Sequence, residues 1–336
     1  MSVKVGINGL GRIGKGIVRA WIDSGRRDIE IVMVNDLMDA ADAAHILKYD
    51  SVHGRLNAEV TARDHELLIG DRPVALSQQR HPREIPWGDK GVAIVLECTG
   101  RFTTREDAEG HLGDSVKKVV VSAPAKAQDL TVLMGINQDE YDPAKHNIIS
   151  NASCTTNCVA PLVKVLHDRF QIQSAFMTTV HSYTNDQRIL DTTHKDPRRA
   201  RAGALSMIPT STGAARMIGK IFPDLDGKID GLAVRVPTPN VSLVDLVAQI
   251  AEPATIEQVN NAFRKASSGS LKGILDVCDE PLVSADFNGN PYSSVVDSLS
   301  TNVINQHMVK VLSWYDNETG FSNRMLELAE MVASRL

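Results

Sequence analysis

The run VKVGINGLGRIG, Val3 to Gly14, joins a short β-branched strand pattern to a turn with glycine at positions 9, 11 and 14, and a helical pattern, IGKGIVRAWIDSG, follows at once. Glycine at these three places lets the backbone turn tightly and pass close to a pyrophosphate, whose charge then meets the helix N-terminus. The next strand pattern, IEIVMVND, ends on an acid, Asp36, 22 residues beyond Gly14. A carboxylate there accepts hydrogen bonds from adenosine ribose hydroxyls and repels a 2′-phosphate. A glycine-rich turn alone is weak evidence. Strand before, helix after and acid at this spacing together predict an α/β dinucleotide-binding domain that favours NAD over NADP.

The same texture continues through GVAIVLECTG, VKKVVVSAP and HNIIS to about Ser153. Val- and Ile-rich runs without strict alternation read as strands buried on both faces, hence a parallel sheet. From Cys154 the pattern changes to a helix of about four turns, CTTNCVAPLVKVLHDRF. Longer strands follow, SAFMTTVHSYT, KIDGLAVRVPT, VSLVDLVAQI and HMVKVLSWYD, suited to a sheet with one covered face. Thr255 is the expected cap of an amphipathic helix, TIEQVNNAFRKAS, and FSNRMLELAEMVASRL is a closing helix. A long polar, arginine-rich stretch from His181 to Gly203 has the character of a binding or interface loop.

At 336 residues the chain exceeds what one core usually serves, so two domains are expected, divided at residues 153 and 154. Hydrophobic residues make up 43% and charged ones 23%, which excludes a disordered or fibrous chain. The net charge is −5 with dispersed cations, so no nucleic-acid partner is expected. No apolar run approaches the ~20 residues of a membrane span. The strand pattern begins too early for a signal peptide, and four cysteines lack a disulfide-framework spacing. The expectation is a cytoplasmic protein without a metal site.

Two of those cysteines lie in SNASCTTNC, Ser150 to Cys158. Ser, Thr and Asn before and between them are helix-capping types, which places Cys154 in a first helical turn. The helix dipole and a nearby imidazole would favour its thiolate. Cys158, one turn deeper and followed by Val159 and Ala160, reads as a buried inert thiol; Cys98 and Cys278 read as structural. His181, ending a strand and opening the polar loop, is the best partner among ten histidines.

Taken together, VGINGLGRIG, KYDSVHG, SAPAK, SNASCTTNC, HSYTNDQ, STGAA, RVPTPNVS and WYDNETGFSNR resemble the phosphorylating glyceraldehyde-3-phosphate dehydrogenases of the bacterial type, over Val3 to about Leu326. The resemblance implies a Rossmann domain (1–153), an α+β catalytic domain with a mixed sheet (154–316), a C-terminal helix (317–336) that returns to the first domain, and a homotetramer. It implies oxidation of D-glyceraldehyde 3-phosphate to the acyl phosphate, a step of glycolysis and gluconeogenesis, with Cys154 as nucleophile and His181 as base. Thr184 and Arg235 would hold the substrate's phosphate, with Asp186 orienting the arginine. Ser153, Thr155, Arg199, Thr212 and Gly213 would surround the attacking inorganic phosphate. Around NAD it adds Arg12, Ile13, Arg80, Ser122 and Asn317 to Gly9, Gly11, Gly14 and Asp36.

Departures bear on specificity. Leu37 after Asp36 suits NAD, whereas Thr192 and Thr193 stand where strictly NAD-dependent members tend to carry Leu-Pro, so NADP use is also open; Pro197 replaces a usual leucine. Erythrose-4-phosphate dehydrogenase is the nearest alternative, since it shares the thiol, histidine and cofactor but hydrolyses its thioester. The intact Thr212-Gly213-Ala214-Ala215 run favours phosphorolysis. A non-catalytic redox sensor built on Cys154 and Cys158 would have no use for Asn317 or two anion pockets.

Overall fold

The computed structural model describes residues 2–336, and the chain divides into two compact units: one runs to Ser153 and includes Phe321–Leu336, the other is Cys154–Gly320. In the first unit the elements are β1 (Val3–Asn8), α1 (Arg12–Ser24), β2 (Ile29–Asn35), α2 (Ala40–Lys48), a small hairpin β3 (Tyr49–Asp50) and β4 (Gly54–Arg55), then β5 (Val60–Arg63), β6 (Glu66–Ile69), β7 (Arg72–Ser77), β8 (Ile94–Glu97), α3 (Arg105–Ala108), β9 (Lys118–Val121), β10 (Leu130–Thr131) and β11 (Ile148–Ser150). Nine of these strands form one sheet in the order β10-β11-β9-β8-β1-β2-β7-β6-β5. Pairing is parallel from β10 to β7, and every residue of β8, β9 and β11 is buried, as both-face coverage requires.

The edge departs from the all-parallel expectation: β5, β6 and β7 pair antiparallel. Two tight turns cause this, with Asp64 at φ +47° and Gly70 at φ +63°, because only short turns of this kind fold a chain back on its neighbour. Inside, Trp87 packs with Val92, Val95, Val119 and Ile148. Gly6 makes that possible, since a Cβ there would lie 2.4 Å from the indole ring.

The second unit comprises α4 (Cys154–Phe170), β12 (Ile172–Ser182), β13 (Ile208–Ser211), α5 (Ala214–Ile221), β14 (Ile229–Val236), β15 (Ser242–Ile250), α6 (Ile256–Ser268), β16 (Leu275–Cys278), β17 (Ser294–Ile304), β18 (Met308–Tyr315) and the start of α7 (Thr319–Ala333). Its seven strands run β13-β14-β12-β15-β18-β17-β16, with β12/β14 and β16/β17 parallel and the rest antiparallel, a mixed sheet. Residues of β15 alternate strictly between buried and half-buried, the period-two signature of a sheet covered more fully on one face. Thr255 caps α6 in a reciprocal box with Gln258. On the less covered face Phe176 is 70% exposed, and Leu232 on the neighbouring strand is also exposed.

Candidate active site

In the first unit a cleft of about 280 Å³ opens beyond the carboxyl ends of β1, β2, β7 and β8, lined by Gly9, Gly11, Asp36, Leu37, Arg80 and Thr99 among others. The β1-to-α1 turn closes only with glycine. Gly9 sits at φ +94°, and a Cβ on Gly14 would lie 2.0 Å from the Gly9 carbonyl oxygen. A Cβ on Gly11, the N-cap of α1, would meet nothing within 4 Å, so backbone donors at this helix start are open to an anion. Asp36 accepts the Leu10 N–H (2.7 Å) and the Met38 N–H (3.2 Å), one on each oxygen, and each oxygen keeps a lone pair for a ribose hydroxyl. These residues fit a dinucleotide.

Arg12 and Ile13 open α1 directly beside the cleft, where their part is that of the first helical N–H groups, and the Arg12 side chain forms an ion pair with Asp50. Burial raises the Asp50 carboxyl, but the Arg12 guanidinium and the N–H groups of His53 and Val52 outweigh it and hold the group below the usual carboxylate range. Ser122 lies outside the lining, with its hydroxyl on the Cys98 thiol. Cys98, expected to be only structural, is part of the cleft wall, though burial and then the Glu97 charge push its thiol far above the ordinary value.

In the second unit Cys154 opens α4, two residues after Ala152 at φ +55°. Its Sγ lies 3.5 Å from Nε2 of His181, which is buried near the end of β12. The His181 Nδ1 is 2.7 Å from the Ser182 carbonyl oxygen. A carbonyl only accepts, so Nδ1 carries the proton and Nε2 turns its lone pair to the thiol.

Burial opposes the ionised sulfur expected from the helix start. Burial raises the Cys154 thiol, against the lowering effect of Arg235 and of hydrogen bonds from Thr155 and the Cys154 backbone. Burial, then the charges of Arg235 and Arg199, lower His181 to about 3. Desolvation penalises both charged forms, so the resting pair is neutral thiol beside neutral imidazole.

Thr155 was expected at the attacking-phosphate pocket; instead it is buried, bonds Cys154 and meets the Tyr315 hydroxyl at 3.0 Å. Its place on the covered face of α4 turns it inward. Tyr315 also bonds Thr179 (2.8 Å) and sets its ring edge-on to His181 at 6.0 Å. This tyrosine escapes a reading of motifs, since its only sign is an aromatic residue ending the strand before DNETG. Cys158 is fully buried, 3.7 Å from Ser294 Oγ, with its thiol pushed up to about 12.

Arg235 pairs with His181 across β14 and β12. Its Nη1 reaches the Ser182 carbonyl (3.1 Å) and the Thr184 hydroxyl (3.4 Å); it lies 3.0 Å from His181 Nδ1, whose own proton points to that same carbonyl. Its Nε is buried without a hydrogen-bond partner, and among the described residues no carboxylate lies within 4.0 Å of it. A half-buried guanidinium left this way is matched to an incoming anion.

Asp186, expected to orient Arg235, instead accepts from Arg199 Nη1 (2.5 Å) and faces His194 Nε2 at 3.3 Å. The loop after β12 folds back so that these side chains, with Asp196 and Thr210, share one polar cluster; Arg199 Nε reaches Thr210 at 3.0 Å and its Nη2 the Ser211 carbonyl at 3.4 Å. Thr212 and Gly213 follow at the turn into α5, where the Thr212 hydroxyl accepts the Ala214 N–H (3.2 Å) and Gly213 faces open space. The structure therefore gathers Cys154, His181, Thr184 and Arg235 by direct contact. Arg199 and the Thr212-Gly213 turn adjoin each other, and half-buried Ser153 directly precedes Cys154. Among the described residues no group of three or more His, Cys, Asp or Glu is placed to hold a metal ion.

Asn317 is buried, with Oδ1 accepting the hydroxyls of Ser182 and Ser242, each at 2.9 Å. Ser242 Oγ in turn accepts the Ser182 N–H (3.1 Å), so the two hydroxyls occupy Oδ1 and the donors of Asn317 are on its NH2. The preceding Asp316 accepts from Asn240 Nδ2, Gly289 N and Thr319 N at 2.8 Å and from Glu318 N at 2.9 Å, and so caps α7. Between Asn240 and Ser242, Val241 is held at φ +67°, costly for a β-branched residue.

Comparison with known proteins agrees with this geometry. Residues 3–105 match the family model for the glyceraldehyde 3-phosphate dehydrogenase NAD binding domain, and residues 153–317 the model for the C-terminal domain of the same family. Among similar proteins, the glyceraldehyde-3-phosphate dehydrogenase of Geobacillus stearothermophilus is 58% identical over 335 residues, covering 100% of this chain and 99% of its own. Glyceraldehyde-3-phosphate dehydrogenase 1 of Bacillus cereus is 56% identical over 332 residues, with 99% of each chain covered. That of Streptomyces coelicolor is 52% identical over 337 residues, with 100% of both covered. Similarity of this depth along the entire length leaves no segment outside the match, and the chain belongs to the glyceraldehyde-3-phosphate dehydrogenase family.

Proposed function

We propose that this chain oxidises D-glyceraldehyde 3-phosphate with NAD and inorganic phosphate, giving 1,3-bisphosphoglycerate, NADH and a proton. One observation carries the reading: a thiol 3.5 Å from an imidazole lone pair, with the Arg235 guanidinium beside them, its Nε buried without a partner. As the Cys154 sulfur attacks the aldehyde carbon, its proton passes through His181 Nε2 to the former carbonyl oxygen, forming a hemithioacetal. Bound NAD supplies the hydride acceptor. When hydride leaves the substrate carbon, His181 takes the hydroxyl proton and the carbonyl re-forms as a thioester on Cys154. A phosphate oxygen then attacks that carbon and the sulfur leaves. A thioester suits this sequence because it retains much of the oxidation energy for the acyl phosphate.

Arg235 and Thr184 would hold the substrate's own phosphate. Ser153, Arg199, Thr212 and Gly213 would serve the attacking phosphate, where guanidinium, hydroxyl and backbone N–H suit a dianion. Tyr315 and Thr155 position the thiol. Gly9, Gly11, Asp36 and Arg80 would take the dinucleotide, and the NH2 of Asn317 the carbonyl of the nicotinamide carboxamide. The chain would act as a cytoplasmic homotetramer. The exposed Phe176 and Leu232 on adjoining strands, with Ile189, Leu190, Leu205 and Met207 exposed on the loop after β12, supply apolar surface for subunit contacts.

Steady-state rates with glyceraldehyde 3-phosphate and with erythrose 4-phosphate, each with NAD or NADP and with or without phosphate, test the reading. NADH formation that collapses when phosphate is omitted is expected. Equal rates without phosphate, or preference for the four-carbon aldehyde, would assign the chain to thioester hydrolysis instead.

A further inference from the structure

Beneath the dinucleotide cleft lies a carboxylate that the reaction does not use. Glu97 ends β8 with its side chain fully buried, and among the described residues no arginine or lysine pairs with it. Four groups surround it at hydrogen-bond distance: Asn8 Nδ2 at 2.6 Å, His111 Nε2 at 3.0 Å, and the N–H and hydroxyl of Thr99 at 2.7 and 2.5 Å. The Trp87 indole N–H lies 3.2 Å from His111 Nδ1 and can only donate, so the proton of His111 sits on Nε2, aimed at Glu97.

From this carboxylate bonds run outward along the cleft. Asn8 Oδ1 accepts Asn35 Nδ2 (2.8 Å), and Asn35 Oδ1 accepts the Gln79 N–H (2.8 Å). Thr99 Oγ1 accepts the Arg101 N–H (3.1 Å), and Thr99 is the residue against which Gly9 packs too closely to carry a Cβ. Asn8, Asn35, Gln79 and Thr99 all line the cleft, one from each of the four strand ends that form it.

We propose that Glu97, fixed by His111, is a positioning residue for the dinucleotide: one buried carboxyl group sets the floor on which the four cofactor loops are registered. It touches no ligand. It acts because its two oxygens accept from the Asn8 NH2 and the Thr99 N–H, which turns the Asn8 Oδ1 toward Asn35 and holds the Thr99 backbone against the glycine turn. The inference rests on the cleft being the dinucleotide site.

The test is binding of NAD and of ADP-ribose to the full-length apoprotein, by calorimetry, for Glu97→Gln, Thr99→Val and the double variant, with Val95→Ala as a control. Val95 is a fully buried apolar residue of β8 with no side-chain polar role, so it reports plain destabilisation. Glu97→Gln replaces an acceptor by a donor. It should weaken both ligands at least tenfold, leave the iodoacetamide rate of Cys154 unchanged, and weaken them far more than Val95→Ala at a similar fall in unfolding midpoint. Thr99→Val should give part of that loss, and the double variant less than the product of the two singles. Unchanged ADP-ribose affinity in Glu97→Gln, or a loss no greater than in Val95→Ala, overturns the proposal. If Glu97→Gln does not fold, wild-type affinity in Thr99→Val overturns it equally. Absence of NAD and ADP-ribose binding in the wild type would instead refute the cleft as the dinucleotide site.

Discussion

Replacing Arg235 by glutamine removes the cation closest to the thiol and imidazole. In the folded chain its guanidinium donates to the Ser182 carbonyl and the Thr184 hydroxyl while Nε stays unpartnered, so a substrate phosphate would gain a charge-assisted donor that is already in place. Hydrogen bonds to charged groups are worth about 1.5–3 kcal/mol. At a tenfold change per 1.4 kcal/mol, KM for glyceraldehyde 3-phosphate should rise about 10- to 150-fold. A second consequence is independent of substrate. Arg235 lowers the Cys154 thiol and lowers His181, so both should titrate higher without it. Iodoacetamide alkylation of the apoprotein across pH reads that shift as an alkaline displacement of the Cys154 midpoint. A KM within twofold of wild type together with an unmoved midpoint would refute the placement of this arginine as the anion holder.

His181→Asn should flatten the acid side of the stability profile. The folded-state value of about 3 lies below the ordinary 6.5, so the unfolded chain binds the proton first; the stabilisation is complete above about pH 6.5 and is lost as pH falls toward 3. Urea unfolding of wild type and variant between pH 7 and 4 should converge as pH falls, and parallel curves would count against a buried neutral imidazole. The same variant should lower kcat about 10²- to 10⁴-fold, the usual contribution of a general base. Gly14→Ala should abolish NAD binding and lower the melting temperature, because the added methyl would meet the Gly9 carbonyl oxygen at 2.0 Å; a variant that melts and binds as wild type would show that the turn relaxes freely.

Much of the fold was legible because its signals are local. The β1-turn-α1 unit, the capping box at Thr255 and the α4 boundaries each follow from a few adjacent residues. The β5–β7 edge was not legible, since strands of four to six residues separated by two-residue turns carry too little periodicity to show their pairing direction. In the site, residue types pointed to a thiol and an imidazole, whereas what sets their protonation is burial, a property of the whole unit that SNASCTTNC cannot encode. Tyr315 went unread, and the partner of Thr155 could not be foreseen, because a hydroxyl's direction is decided by how α4, β12 and β18 pack together. Asp186 shows the same limit, since its partner depends on how a long loop returns.

The uncharged resting pair of Cys154 and His181 has a consequence for the lifetime of the protein. Peroxide and stray electrophiles attack thiolates, and the burial that raises the Cys154 thiol works against their attack on it.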